Sequence, residues 1–181
     1  MLEDDVKIYG NDSSDRQNSD LNRVIENMRE HRQNGNIDKA KNLGKNLVDL
    51  EIDFEKEIAP RFMKPDIIYQ MKVMLVFAAE ANLQMLVYEP LLSTTAINSM
   101  YDEIQSREYG FYKNISDGIA FSFYYAGVRD SGDIPRSMGK TFAMLCSAEG
   151  NEDFIEAGTL IYNKAVQIIE DEINKAEFNL V

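Results

Sequence analysis

The chain has 181 residues, 44% of them hydrophobic, which is enough for one domain with a sizeable core. Its formal net charge is −12, from 31 acidic and 19 basic residues, and this argues against nucleic-acid binding, because phosphate contacts need a concentrated surplus of Lys and Arg. The acidic amino terminus lacks the basic and then apolar pattern of a secretory signal, so we expect a cytoplasmic protein.

The amino-terminal residues 1–19 are rich in Asp, Ser and Asn and predict a polar acidic leader. Over residues 20–181 the apolar residues recur at helical spacing, without the alternation typical of a strand, so we predict a single all-helical domain. The first helix is predicted over residues 21–33 and ends at Gly35, because glycine readily takes the left-handed conformation that closes a helix. Its apolar face consists of Leu21, Val24, Ile25 and Met28.

The next two helices differ in their apolar patterns. Asn36 is predicted to cap the second helix, which continues until just before Pro60. Its single apolar stripe consists of Ala40, Leu43, Leu47, Leu50, Phe54 and Ile58. The third helix opens at Pro65 and is apolar nearly all round, so we expect it at the centre of the domain. Its longest uninterrupted apolar run, residues 73–79, is far shorter than the ~20 residues that a membrane span needs, and no membrane binding is predicted.

Four further helices complete the prediction. A serine or threonine at positions 93–95 caps the fourth, which ends near Arg107. The fifth covers roughly residues 115–129 and is expected beside the third. The sixth begins at positions 133–135 and closes at Gly150, where the last helix follows. Seven helices with short connections predict antiparallel helical hairpins, arranged as a bundle or a short stack.

One turn and the helix after it carry a family resemblance. The turn Gly35-Asn36-Ile37-Asp38, followed by Ala40, Leu43 and Leu47, resembles the turn and second helix of a tetratricopeptide repeat. A second glycine-asparagine turn stands at Gly150, before the last helix. The resemblance covers about a third of the chain. It implies hairpins stacked into a groove that binds a peptide or protein segment, and it carries over no individual contact residue.

No cluster of side chains predicts a catalytic or metal centre, and no cofactor is expected. The chain has one cysteine, Cys146, which follows apolar residues, and one histidine, His31, which lies in a polar stretch. A nucleophilic cysteine needs a nearby base, so we predict a structural thiol. A single histidine also excludes the paired Glu-x-x-His motifs of di-iron bundles.

The most informative ionisable residue is Glu80, because it lies midway along the helix expected to be buried. A carboxylate there needs a partner, since an unpaired buried charge is costly. The candidate ion partners are Arg61, Arg107 and Arg129. The alternative is a ligand-facing acid in an interior pocket, next to the polar residues Asn82 and Gln84.

Aromatic and basic residues concentrate in a segment that we predict to be a loop before the fifth helix. They are Arg107, Tyr109, Phe111, Tyr112 and Lys113. Because Tyr and Arg are enriched at protein interfaces, this is the candidate partner-binding loop. We therefore predict a non-enzymatic helical interaction module that binds a peptide or protein partner, or another copy of itself. The alternative is a helical bundle that binds a small, largely apolar ligand in an interior pocket.

Overall fold

A computed structural model describes residues 12–49, 62–130 and 132–179, and the regular structure in these ranges is helical throughout. The all-α class predicted from the sequence is therefore confirmed. The described helices are α1 (Asp12–Gln33), α2 (Asn36–Val48), α3 (Pro65–Leu86), α4 (Pro90–Arg107), α5 (Tyr109–Ser116), α6 (Ile119–Asp130), α7 (Ile134–Leu145) and α8 (Glu152–Lys175).

Two boundaries in the amino-terminal half differ from the prediction. Helix α1 begins at Asp12, inside the segment predicted to be a leader. Helix α2 ends at Val48, with Asp49 as its C-cap, so the predicted stripe does not continue in one unbroken helix. The predicted stripe residues Leu50, Phe54 and Ile58 lie outside the described residues.

The start of α4 was also predicted wrongly. The helix begins at Pro90 rather than after a cap at positions 93–95, because proline is accommodated in the first turn, where its missing N–H has no helical acceptor. The hydroxyls expected to cap the helix bond to carbonyl groups instead. Ser93 Oγ donates to the Leu83 carbonyl over 2.9 Å, and Thr95 Oγ1 donates to the Leu91 carbonyl over 2.7 Å.

Residues 109–129, predicted as a loop followed by the fifth helix, form two helices in the structure. Gly118 separates α5 from α6 with a φ of 69°, a left-handed conformation that suits glycine. Its N–H donates to the Ile115 carbonyl over 3.0 Å, which closes α5. Residues 109–113 are therefore helical, and the prediction of a loop there is wrong. This helix has no counterpart in the prediction, so the described residues contain one helix more than the sequence predicted.

The carboxy-terminal helices follow the prediction more closely. Asp133 caps α7 by accepting a hydrogen bond from the Arg136 N–H over 3.2 Å, and Asn151 caps α8 by accepting one from the Asp153 N–H over 3.0 Å. Helix α7 ends at Leu145, earlier than the predicted closure at Gly150.

Helix α3 occupies the centre of the described fold, as predicted, and contacts α4, α6, α7 and α8. The most extensive helix pairs are α7 with α8 and α2 with α4. The α2–α4 pair depends on close backbone approach at Gly44, where an added Cβ would lie 2.1 Å from the Ala96 carbonyl oxygen. Helix α2 thus packs mainly on a helix that does not follow it directly in sequence.

The segment after α8 returns to the turn between α1 and α2 and binds the buried side chain of Asn36. Asn36 Nδ2 donates to the Asn179 carbonyl, and Asn36 Oδ1 accepts from the Asn179 N–H, each over 2.8 Å. Asn36 Nδ2 also lies 3.0 Å from His31 Nδ1. Because the amide nitrogen can only donate, His31 Nδ1 is the acceptor and the neutral ring carries its proton on Nε2.

These contacts correct the prediction for Asn36 and place His31 in the interior of the fold. Asn36 does not cap α2: Gly35 holds the cap position, with a φ of 80°, and the Asn36 side chain bonds to the carboxy-terminal segment instead. His31 is buried although its sequence neighbours are polar, since only 4% of its surface is exposed.

Candidate functional site

Glu80 is half-buried on α3 and accepts hydrogen bonds from two tyrosine hydroxyls. Tyr101 on α4 donates to Glu80 Oε2, and Tyr125 on α6 donates to Glu80 Oε1 over 2.9 Å. Gln84 Nε2 donates a longer bond of 3.4 Å to the same Oε1. The predicted neighbour Gln84 is therefore at the site. Asn82 is buried and donates instead to the Ala78 carbonyl of its own helix over 2.8 Å.

The tyrosines take the place of the arginine partner that the sequence favoured. Arg107 pairs with Asp49 and Glu103. Arg129 lies in the last turn of α6, and Arg61 lies outside the described residues. Burial first and the bond to Glu80 second raise the pKa of Tyr125 to about 12, so its hydroxyl stays a donor at neutral pH. Tyr101 and Tyr125 stand at helical spacing among apolar residues, and the sequence gives no signal that separates such donors from core tyrosines.

Aromatic rings fill the contact between α3 and α6. The Phe77 ring stacks on Tyr124 at a centroid distance of 5.0 Å, and it meets Tyr125 and Phe121 edge-on at 5.0 and 5.7 Å. Phe77 and Tyr124 have no exposed surface. An interior ligand pocket between these helices would require the rings to move apart, because side chains already occupy the space beside Glu80.

An open groove with a volume of about 250 Å³ lies between α2, α3, α4 and α5. Its apolar surface comes from Leu47, Val48, Leu75, Val76, Met100, Ile104 and Phe111. Asp49, Lys72, Arg107 and Glu108 line its charged part. We call this feature the α2–α5 groove.

Two ion pairs, Arg107–Asp49 and Lys72–Glu108, form the charged part of the groove, and a third joins Arg107 to Glu103 beside it. Arg107 Nη2 donates to Asp49 Oδ2 over 3.2 Å beside a second, shorter bond from Nη1, and Arg107 Nε donates to Glu103 Oε1 over 2.7 Å. The guanidinium holds the pKa of Asp49 below its usual value. Lys72 Nζ donates to Glu108 Oε1 over 2.8 Å. Each exposed cation is thus matched by a carboxylate, and the groove has no strong charge of one sign.

The residues of the candidate partner-binding segment divide between two faces of α5. Phe111 lines the groove together with Arg107 of α4. Tyr112 is half-buried and meets the Tyr101 ring edge-on at 6.4 Å. Tyr109 and Lys113 point to solvent, and 64% of the Tyr109 surface is exposed. The structure therefore brings two of these five residues into the groove.

Cys146 and His31 contact different parts of the fold. Burial raises the pKa of the Cys146 thiol to about 12, with a smaller contribution from Asp66. His31 instead contacts Asn36 and lies 3.8 Å from Glu89. Within the described ranges, His, Cys, Asp and Glu residues form no group of three or more that could hold a metal ion. None of the described helices is both long and apolar enough to cross a membrane.

Comparison of the chain with protein-family models, with curated proteins and with solved structures finds no match.

Proposed function

We propose that the protein is a non-enzymatic helical interaction module that binds a segment of another protein in the α2–α5 groove. The observation that carries the proposal is the groove itself, an open apolar concavity beside the aromatic and basic residues that the sequence singled out. An apolar centre with a charged border is the usual arrangement of a protein interface.

The volume of the groove favours a protein side chain as its occupant. At about 250 Å³, the groove falls below the roughly 300–1,000 Å³ of typical small-molecule sites. It is large enough for one anchoring apolar residue. Partner binding commonly depends on one or two such anchors in a well-packed pocket, surrounded by contacts that exclude water.

The ion pairs support the proposal because they connect the helices that form the groove. Arg107 of α4 pairs with Asp49 at the end of α2 and with Glu103 of its own helix. Lys72 joins α3 to Glu108 at the start of α5. A preformed groove lowers the entropy lost on binding. Its matched charges favour a partner whose anchor is apolar rather than strongly acidic or basic.

Site-directed photo-cross-linking in the native cell tests the proposal. A photoreactive phenylalanine derivative replaces Leu75, a half-buried residue that lines the groove. We expect a discrete adduct with one other protein, which weakens when Val76→Gln is added, because the polar side chain disfavours an apolar anchor.

The matched control places the same probe at Leu160 on α8, which is 37% exposed and does not line the groove. Adducts that are the same from both positions would contradict a groove-specific partner. An adduct between two copies of the chain would show that the groove mediates self-association instead of binding another protein.

A further inference from the structure

The turn between α1 and α2 contains a chemically reactive pair of residues, Asn34 and Gly35. It is the only place in the sequence where glycine follows asparagine. The side-chain amide of an asparagine can react with the backbone nitrogen of the next residue, and glycine hinders this approach least because it has no Cβ. An added Cβ at Gly35 would meet no atom within 4 Å, so the space beside this residue is open.

Hydrogen bonds hold the Asn34 side chain in a position that suits this reaction. Asn34 Oδ1 accepts from the Asn36 N–H over 3.1 Å. This bond closes a ring of atoms that contains the Gly35 nitrogen, so the side-chain amide carbon stays close to that nitrogen. Asn34 Nδ2 forms no hydrogen bond with a described residue, so the amide nitrogen is not held in place. The Gly35 N–H forms a long bond of 3.4 Å to the Arg32 carbonyl.

The reaction that these groups favour is the loss of ammonia from Asn34. The Gly35 nitrogen loses its proton and attacks Asn34 Cγ, while the Asn36 N–H stabilises the negative charge that develops on Oδ1. The bond between Cγ and Nδ2 then breaks, and Nδ2 leaves as ammonia with the proton that the Gly35 nitrogen lost. Water opens the resulting cyclic imide at either carbonyl and gives aspartate or isoaspartate.

We propose that Asn34 is a site of spontaneous deamidation in the folded protein and that its isoaspartate product loosens the carboxy-terminal segment. The Asn34 main-chain carbonyl accepts from Asn179 Nδ2 over 2.8 Å, beside the two bonds between Asn36 and Asn179. In isoaspartate the main chain passes through the side-chain carbon atoms and becomes one carbon longer, so the turn no longer matches the Asn179 contacts. The site shares no residue with the α2–α5 groove and is independent of the function proposed above.

Ageing of the full-length protein in mildly alkaline buffer tests the deamidation. Peptide mass spectrometry compares the conversion of Asn34 in the native protein with its conversion in guanidinium chloride. We expect the native rate to equal or exceed the unfolded rate, because the fold alone holds the side chain and the Asn36 N–H in place. A slower native rate would overturn the proposal, since it would show that the fold protects Asn34.

Asn42 is the internal control, because it is exposed on α2 and is followed by leucine instead of glycine. It should remain unconverted in the native protein over the time in which Asn34 reacts. Conversion of both asparagines at the same rate would contradict a specific site at the turn.

The effect on the carboxy-terminal segment is tested with separated products. Chromatography isolates the isoaspartate form of the aged protein, and Asn34→Asp supplies the same added charge with an ordinary main chain. Amide hydrogen exchange at Asn179 should be about threefold or more faster in the isoaspartate form than in the unaged protein, in line with the loss of about one hydrogen bond.

Asn34→Asp should exchange at the rate of the unaged protein, because a carboxylate oxygen accepts the same bond from the Asn36 N–H. Unchanged exchange in the isoaspartate form, or equal acceleration in Asn34→Asp, would overturn the link between the modified main chain and the carboxy-terminal segment. Circular dichroism verifies that both proteins remain folded.

Discussion

At the scale of single residues, the described fold contains a polar centre at Asn36. Its side chain joins the turn between α1 and α2 to the last described residue, Asn179, and to His31. Buried polar groups stabilise a fold when all their partners are present, and removal of one partner leaves the others unsatisfied. Asn36 therefore joins the turn between α1 and α2 to the carboxy-terminal end of the described chain.

Asn36→Ala should lower the free energy of unfolding by about 1–3 kcal/mol, because it leaves the Asn179 backbone groups without their partners. Urea denaturation followed by circular dichroism measures the change. Asn42→Ala on the exposed surface of α2 is the control and should change stability far less. Equal effects of the two substitutions would show that the Asn179 contact does not stabilise the fold.

The protonation state of Cys146 makes a second prediction at this scale. Burial raises the pKa of its thiol from 9.0 to about 12. Between these two values the thiol stays protonated in the folded protein but is deprotonated in the unfolded chain. The alkylation rate of the native protein should still rise by about tenfold per pH unit above pH 9, whereas the rate of the unfolded chain levels off there. A native profile that levels off near pH 9 would contradict the burial of the thiol.

The free energy of unfolding should fall as the pH rises above 9, because deprotonation of the Cys146 thiol then favours the unfolded state.

The sequence drew attention to Glu80 and His31 but did not predict their contacts. Glu80 was singled out as an acid on a helix expected to be buried; it is half-buried, and its hydrogen-bond donors, Tyr101 and Tyr125, come from two other helices. His31 stands among polar residues but is buried, and its ring lies 3.8 Å from Glu89, which is far away in the chain. Local periodicity carries no information on such distant contacts.

At the scale of helices, the pair α2 and α4 depends on the absence of a side chain at Gly44. Helix propensity alone favours alanine there by about 1 kcal/mol. The added Cβ would, however, lie 2.1 Å from the Ala96 carbonyl oxygen, and this is backbone that cannot move without shifting the helix.

Gly44→Ala should therefore destabilise the protein, by about 1–3 kcal/mol or more, because overpacking outweighs the gain in propensity. Gly110→Ala on α5 is the matched control, since an added Cβ there meets no atom within 4 Å. That substitution should be neutral or stabilising by up to about 1 kcal/mol. Thermal unfolding of the two variants measures the contrast, and a stabilising Gly44→Ala would refute the close helix approach.

Helix boundaries could be predicted where a side chain caps the helix. The prediction failed where the expected capping side chain bonds to another group. Asp133 caps α7 within the range predicted for the start of that helix, and Asn151, directly after the predicted turn at Gly150, caps α8. Ser93 does not, because its hydroxyl bonds to the end of α3. The break at Gly118 was missed because apolar residues continue on both sides of it, and a periodic pattern conceals a single left-handed residue.

At the scale of the whole molecule, the all-α class followed from periodicity, while the arrangement of the helices did not. The α2–α5 groove brings together four helices, and its ion pairs connect residues that are distant in sequence, such as Arg107 and Asp49. The candidate segment was located by composition, because aromatic and basic residues concentrate there. Its helical form, and the division of its residues between groove and solvent, required the tertiary structure.

The central proposal is that a protein segment binds in the α2–α5 groove, and the affinity of the cross-linked partner tests it most directly. Isothermal titration with the purified partner compares the wild-type chain with Val76→Gln in the groove and Leu160→Gln on α8. We predict that Val76→Gln weakens binding by about tenfold, in line with the loss of an apolar anchor contact, and that Leu160→Gln leaves it unchanged. Equal affinity of all three proteins would contradict the proposal.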